Sequence, residues 1–179
     1  MEAQRRRLAA DHERLRAWCA ARAGAARLVS VEGVPPVRYV VELDCRGPER
    51  LAEAGPVLRG SHRFQIDIPH AYPLKAPRLT MLTPTVNPHI WTSGTVCLGG
   101  FWNAGQALDL LAAQMWRILT WDPAVIDPNS PADGAAIGWY MNNRAAVPFD
   151  RTDPAAPPLP AGPAAEPEPA APPPPRIAW

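Results

Sequence analysis

Apolar side chains near the start of the chain recur at helical spacing. Leu8, Leu15, Trp18 and Cys19 share one stripe, with Arg6, Arg14 and Arg16 lying off it. This predicts an amphipathic helix that stops at Gly24. The period then falls to two. Residues 28–34 and 37–43 are rich in β-branched side chains and are separated by Gly33 and Pro35-Pro36. Further on, Phe64, Ile66 and Ile68 alternate with Arg63, Gln65 and Asp67, the signature of a strand with one wet face. Residues 79–82 supply a shorter last strand. Short connections carrying Gly and Pro favour an antiparallel meander over βαβ crossovers.

Helical spacing returns with Leu108, Leu111, Met115, Ile118 and Leu119, a core-facing stripe that ends before Pro123. A third helix is expected to open at Ser130-Pro131-Ala132-Asp133, with Ser130 as cap, Pro131 in the first position and Asp133 as the capping-box acid. Ala136, Trp139, Tyr140 and Asn143 carry it towards Pro148. From Pro154 to Pro175 there are eleven prolines among Ala and Glu, a composition that builds no core. The reading is an α+β domain over residues 1–150: an N-terminal helix, a four-stranded antiparallel meander sheet, a cysteine loop and C-terminal helices. A disordered Pro/Ala-rich tail occupies 151–179.

Charge changes this picture only locally. The net charge of +1 gives no reason to expect a nucleic acid or an anionic membrane as partner. Residues 1–30 nevertheless hold seven arginines against three acids, so the basic helix is either a docking surface or a solvated face. Lys75 is the only lysine, beside 17 arginines, and with the abundant Ala and Pro this points to a GC-rich, bacterial genome. No stretch approaches the ~20 apolar residues of a membrane span. Cys19, Cys45 and Cys97 cannot pair evenly and have no metal-ligand spacing, which favours a reducing cytoplasm and no metal. His12, His62 and His70 have no ligand partners at metal spacing and are read as surface residues. Cys19, on the helical stripe, reads as a small buried hydrophobe.

Cys97 is different. It closes the run Asn87-Pro88-His89-Ile90-Trp91-Thr92-Ser93-Gly94-Thr95-Val96-Cys97-Leu98, a Gly-bearing loop just after the small sheet. A lone thiol there suits a nucleophile that accepts a bulky acyl group from outside better than it suits core packing. The strand and turn Phe64-Gln65-Ile66-Asp67-Ile68-Pro69-His70-Ala71-Tyr72-Pro73-Leu74-Lys75-Ala76-Pro77 resemble the strand-Pro-x-x-Tyr-Pro-x-x-x-Pro signature of the ubiquitin-conjugating enzyme family. Gly94-Thr95-Val96-Cys97-Leu98 is similar to that family's active-site stretch, and Trp102 falls near its usual tryptophan. Asp127-Pro128-Asn129-Ser130-Pro131 resembles the loop entering its penultimate helix, and the resemblance covers roughly residues 5–147. Two departures stand out. The family's His-Pro-Asn triplet is reversed to Asn87-Pro88-His89, and Gly99-Gly100 replaces the acid that often follows Cys-Leu.

The resemblance implies a carrier that takes a ubiquitin-like protein from an activating enzyme as a Cys97 thioester. The carrier then passes it to a lysine of a target protein. It implies no cofactor on this chain, ATP being used by the activating enzyme. His89, in the place of the family asparagine, is a candidate oxyanion donor or base, or else pins the loop, and Asn87 is the competing donor. Ser130 falls where the family carries Asp or Ser near the incoming amine. Arg5, Arg6, Arg7 and Arg14 lie where relatives dock the activating enzyme. The divergence suggests a bacterial system, a setting in which such enzymes serve antiviral defence. Two other readings stay open: a non-catalytic platform that binds a ubiquitin-like protein, and a cysteine hydrolase using Cys97 and His89.

Overall fold

The structure, a computed structural model, describes residues 2–98, 100 and 102–151. The proline-rich segment read as a tail lies outside the described residues. Helix α1 spans Glu2–Ala20 and buries Leu8, Leu15 and Cys19 as the stripe requires, together with one acid, Asp11. The main sheet has strand order β1-β2-β5-β6, all antiparallel, built from Ala26–Glu32, Arg38–Leu43, His62–Asp67 and Arg78–Met81.

Alternation sorts the two faces of this sheet. Tyr39, Val41, Leu43, Phe64, Ile66 and Leu79 point inward and are at most 1% exposed. Facing positions pair across strands, Val41 with Phe64 and Tyr39 with Ile66. The outer face carries charge pairs at the same registers. Glu42 accepts from both Arg27 and Arg63, and Arg38 donates to Asp67 at 2.8 Å.

One element was not foreseen. Between β2 and β5 the chain forms a separate hairpin, β3 (Gly47–Ala52) with β4 (Gly55–Arg59). Gly47 opens it at a point where no side chain fits. A Cβ there would sit 2.3 Å from the Leu119 carbonyl oxygen.

Helix α2 (Leu108–Leu119) shares the main core with the sheet and buries Leu108, Leu111, Met115, Ile118 and Leu119 as expected, with Ala112 and Trp116. Burying a side chain of this size contributes roughly 2 kcal/mol, so the stripe dominates the local energetics. The helix ends in a Schellman pattern: Trp121 N–H donates to the Ile118 carbonyl at 3.0 Å and Asp122 N–H to that of Arg117 at 2.9 Å. Trp121 takes the left-handed position that glycine usually fills, at φ 60°. Its fully buried indole offsets the backbone cost.

Helix α3 spans Gly134–Asn142, and here the expected start is corrected. Its cap is Asp133, whose carboxylate accepts from Ala136 N–H at 2.8 Å, not Ser130. The reason is competition: the Ala132 and Asp133 N–H groups both donate to the Pro88 carbonyl, at 2.7 and 3.3 Å, which holds residues 130–133 out of the helix. Trp121, Ile126, Ala136, Tyr140 and Val147 form a second apolar cluster, separate from the main core and packed against Trp139 and Phe149. Among the described residues no helix is long and apolar enough to cross a membrane.

Candidate functional site around Cys97

The segment leading to Cys97 is an irregular continuation of the sheet. Val96 N–H donates to the Leu79 carbonyl at 3.0 Å, and Met81 N–H donates to that of Gly94 at 2.8 Å. Between them the chain doubles back through a tight turn. Trp91 N–H reaches Thr95 O at 2.9 Å, and Gly94 supplies φ 83° where a Cβ would meet the Met81 carbonyl oxygen at 3.2 Å. Cys97 follows directly and is part-exposed, whereas Cys19 and Cys45 are buried. Burial pushes the Cys19 thiol up to about 11 and raises that of Cys45 further. Both stay protonated and inert.

Asn87, 0% exposed, uses both ends of its amide. Its Nδ2 donates to the Ile118 carbonyl at the end of α2, at 2.5 Å, and its Oδ1 accepts from His89 N–H at 2.7 Å. The preceding residue is tied to the same helix end, because the Trp121 indole donates to the Val86 carbonyl at 3.0 Å. His89, 3% exposed, continues the chain of bonds. Its carbonyl accepts from Cys97 N–H at 2.7 Å, so the histidine and the thiol are coupled through the backbone.

The His89 ring points away from solvent. Nε2 accepts from Asp127 N–H at 2.9 Å, and the ring also bonds the backbone of Val125. An accepting Nε2 fixes the proton on Nδ1, so the imidazole is neutral and both nitrogens are engaged. Burial lowers its pKa below the usual histidine value, against opposing pulls from the Asp127 carboxylate and the Val125 backbone. Asp127 itself shapes an Asx turn, its Oδ1 accepting from Asn129 N–H at 2.9 Å. Ser130 is exposed on that turn. The structure therefore joins Asn87, His89, Cys97 and the loop bearing Ser130 into one hydrogen-bonded unit. The amide of Asn87 and the ring of His89 spend their polar atoms within it.

A family model for the ubiquitin-conjugating enzyme matches residues 51–149, over half of the chain and including all of this unit. The chain belongs to the ubiquitin-conjugating enzyme family. Ubiquitin-conjugating enzyme E2 1 of Caenorhabditis elegans is 28% identical over 88 residues, which cover 48% of this chain and 44% of that protein. Ubiquitin-conjugating enzyme E2 21 of the same organism is 27% identical over 105 residues, 56% of this chain and 47% of that one. The chain thus spans about half the length of the curated relatives it matches. Among solved structures, S. cerevisiae Ubc12 superposes with a TM-score of 0.56 at 21% identity, over 78% of this chain and 71% of that chain. That likeness shows the fold, and the model match shows the family.

In this ubiquitin-conjugating enzyme family member the α1 arginines do not share one environment. Arg5 and Arg6 are exposed, and Arg6 pairs with Glu2 at 2.9 Å. Arg14 is exposed but makes a forked contact with Asp109 of α2, at 3.0–3.2 Å. Arg7 turns inward and meets Asp11 at 2.6 Å.

Two histidine placements also differ from expectation. His62 is fully buried, not a surface residue, because its strand position faces inward at the register of Leu43. His12 is part-buried and stacks on Tyr39 at 5.9 Å, and only His70 is exposed. Sequence reasoning passed over Pro88 and Asp127, which couple the two loops. The Asp-Pro-Asn turn signal was the available clue for Asp127.

Proposed function

We propose that this chain carries a ubiquitin-like protein as a thioester on Cys97 and passes it to an amine. In the first step the Cys97 thiolate attacks the C-terminal glycyl thioester held by an activating enzyme. A new C–S bond forms at Cys97 and the activating enzyme's thiol leaves. In the second, a lysine amine of a target protein attacks that carbonyl. The C–N bond forms, the C–S bond to Cys97 breaks and the amine proton passes to solvent. ATP is spent upstream, not on this chain.

One observation carries the reading. Of three cysteines, only Cys97 is open to a macromolecular donor, and it sits on a loop fixed by neutral, satisfied bonds. His89 acts as a positioning residue, because its nitrogens already serve Asp127 and Val125. Asn87 anchors the same loop, and Ser130 faces the incoming amine. Arg5, Arg6 and Arg14 form the charged face for the activating enzyme. The arginine-rich, lysine-poor composition and the reversed triplet support a bacterial conjugation system, the unpaired cysteines suit a reducing cytoplasm, and the family resemblance alone suggests antiviral defence as its setting. The reversed triplet also favours one competitor, a non-catalytic platform for a ubiquitin-like protein.

Intact mass after incubation with activating enzyme, ubiquitin-like protein and ATP separates the two. The expected product is an adduct released by thiol reductant, absent in Cys97→Ala and reductant-resistant in Cys97→Ser. No adduct, with a ubiquitin-like protein that charges another acceptor, would leave the platform standing.

A further inference from the structure

The guanidinium of Arg7 gathers groups that the sequence separates by as many as 99 residues. Nε donates to Asp11 at 2.6 Å, one terminal nitrogen donates to the Ala104 carbonyl at 2.9 Å, and the other to the Gln106 carbonyl. That last nitrogen also lies 3.3 Å from the Tyr72 hydroxyl, which itself donates to Asp11. Tyr72 packs against Trp102 at a tilt of 41°, ring centroids 5.6 Å apart, and the Trp102 indole donates to the Pro73 carbonyl at 3.1 Å. Helix α1, the Tyr72-Pro73 turn and the segment 102–106 therefore meet at one cation.

Position along the chain gives this cluster its meaning. Cys97 is followed by Leu98-Gly99-Gly100-Phe101 and then Trp102. Beyond Leu98, long-range side-chain bonds hold the described chain at Trp102, Ala104 and Gln106, and Arg7 makes two of the three.

Arg7 is also poorly placed to serve a partner. Swinging outward would leave the Asp11 carboxylate, which is 1% exposed, with the Tyr72 hydroxyl but without its cation. We propose that Arg7 is a positioning residue for Cys97, fixing the chain downstream of the thiol, and not part of the partner-facing side of α1. The kinetic half of this proposal rests on the thioester-carrier reading. The structural half does not.

The test compares Arg7→Gln and Tyr72→Phe with Arg5→Glu in the full chain. Amide hydrogen exchange over 102–106 should quicken about tenfold in Arg7→Gln and less in Tyr72→Phe, and stay unchanged in Arg5→Glu. For kinetics, Cys97 is loaded from a ubiquitin C-terminal thioester of a small thiol and discharged to free lysine. Arg7→Gln should lower the maximal discharge rate about fivefold, with half-saturating lysine unchanged. The half-saturating concentration of activating enzyme should also hold, whereas Arg5→Glu should raise it.

Slowed charging with unchanged exchange over 102–106 would return Arg7 to the docking face and overturn the proposal. If wild type accepts no acyl group from any donor, the carrier reading fails while the exchange comparison still decides what Arg7 holds. Should Arg7→Gln not fold, Arg7→Lys carries the test. It keeps a cation beside Asp11, but an ammonium cannot reproduce the fork that spans Asp11 and both carbonyls, and exchange and discharge both at wild-type values would overturn the proposal.

Discussion

The two flanks of Cys97 are built from different materials. Upstream, Asn87 and His89 are buried and neutral, and both give their polar atoms to backbone partners at 2.5–2.9 Å. Downstream, the chain is held by a partly exposed guanidinium that shares itself among a carboxylate, a phenol and two carbonyls. The upstream flank cannot yield by degrees, because each bond lost leaves a buried group with no water to replace it. The downstream flank is buried only at its Asp11 end, and its bonds to the Ala104 and Gln106 carbonyls lie nearer the surface, where solvent can stand in. One side of the thiol is a rigid wall and the other an adjustable one.

The largest effect should come from breaking the wall. Asn87→Ala removes both the acceptor for His89 N–H and the donor to Ile118, and should cost about 4 kcal/mol of stability, read as the shift in a urea unfolding midpoint. Next in size is pH. Burial lowers His62 from 6.5 to about 4, and it bonds Thr85 two residues before Asn87. Between these values the unfolded chain takes up a proton that the folded chain refuses. Stability is therefore full above about pH 6.5 and falls as pH drops towards 4, by up to about 3 kcal/mol from this group. His89 adds to the loss with the same sign. Unfolding midpoints measured from pH 7 to 4 check this, and His62→Asn should flatten the profile. The Arg7 guanidinium stays charged over that range, so this part of the loss comes from the buried histidines. The smallest effect is at the edge of the unit. Asp133→Ala removes the α3 cap and should cost about 1 kcal/mol, whereas Ser130→Ala, outside the helix, should leave thermal stability unchanged.

Periodicity made most of the fold legible. The stripes of α1 and α2 and the alternation of β5 are direct consequences of burying one face, and they sit where the pattern placed them. The hairpin β3–β4 was hidden because Gly47-Pro48 and Gly55-Pro56 read as breakers, and because all five β4 residues are only part-buried, leaving no alternation. The start of α3 was misplaced for a different reason. Ser130-Pro131 has good local capping chemistry, but the Pro88 carbonyl, more than forty residues earlier, takes the N–H groups that would have begun the helix. In the site, Cys97 could be found from its own loop, whereas nothing local shows that Arg7 faces inward or that His62 is buried. Those facts belong to pairings made across the fold.

The second apolar cluster has a consequence for motion. Trp121, Ile126, Ala136, Tyr140 and Val147 pack among themselves, apart from the core shared by α1, α2 and the sheet. A cluster this small can open as a cooperative unit at less than the free energy of global unfolding. Such an opening would lift α3 and its entry loop from Pro88 while the sheet and Cys97 stay in place. The loop that the proposed function puts on the acceptor side of Cys97 would then move with the smaller cluster, giving up the Asp127–His89 bond, while the thiol stays with the larger core.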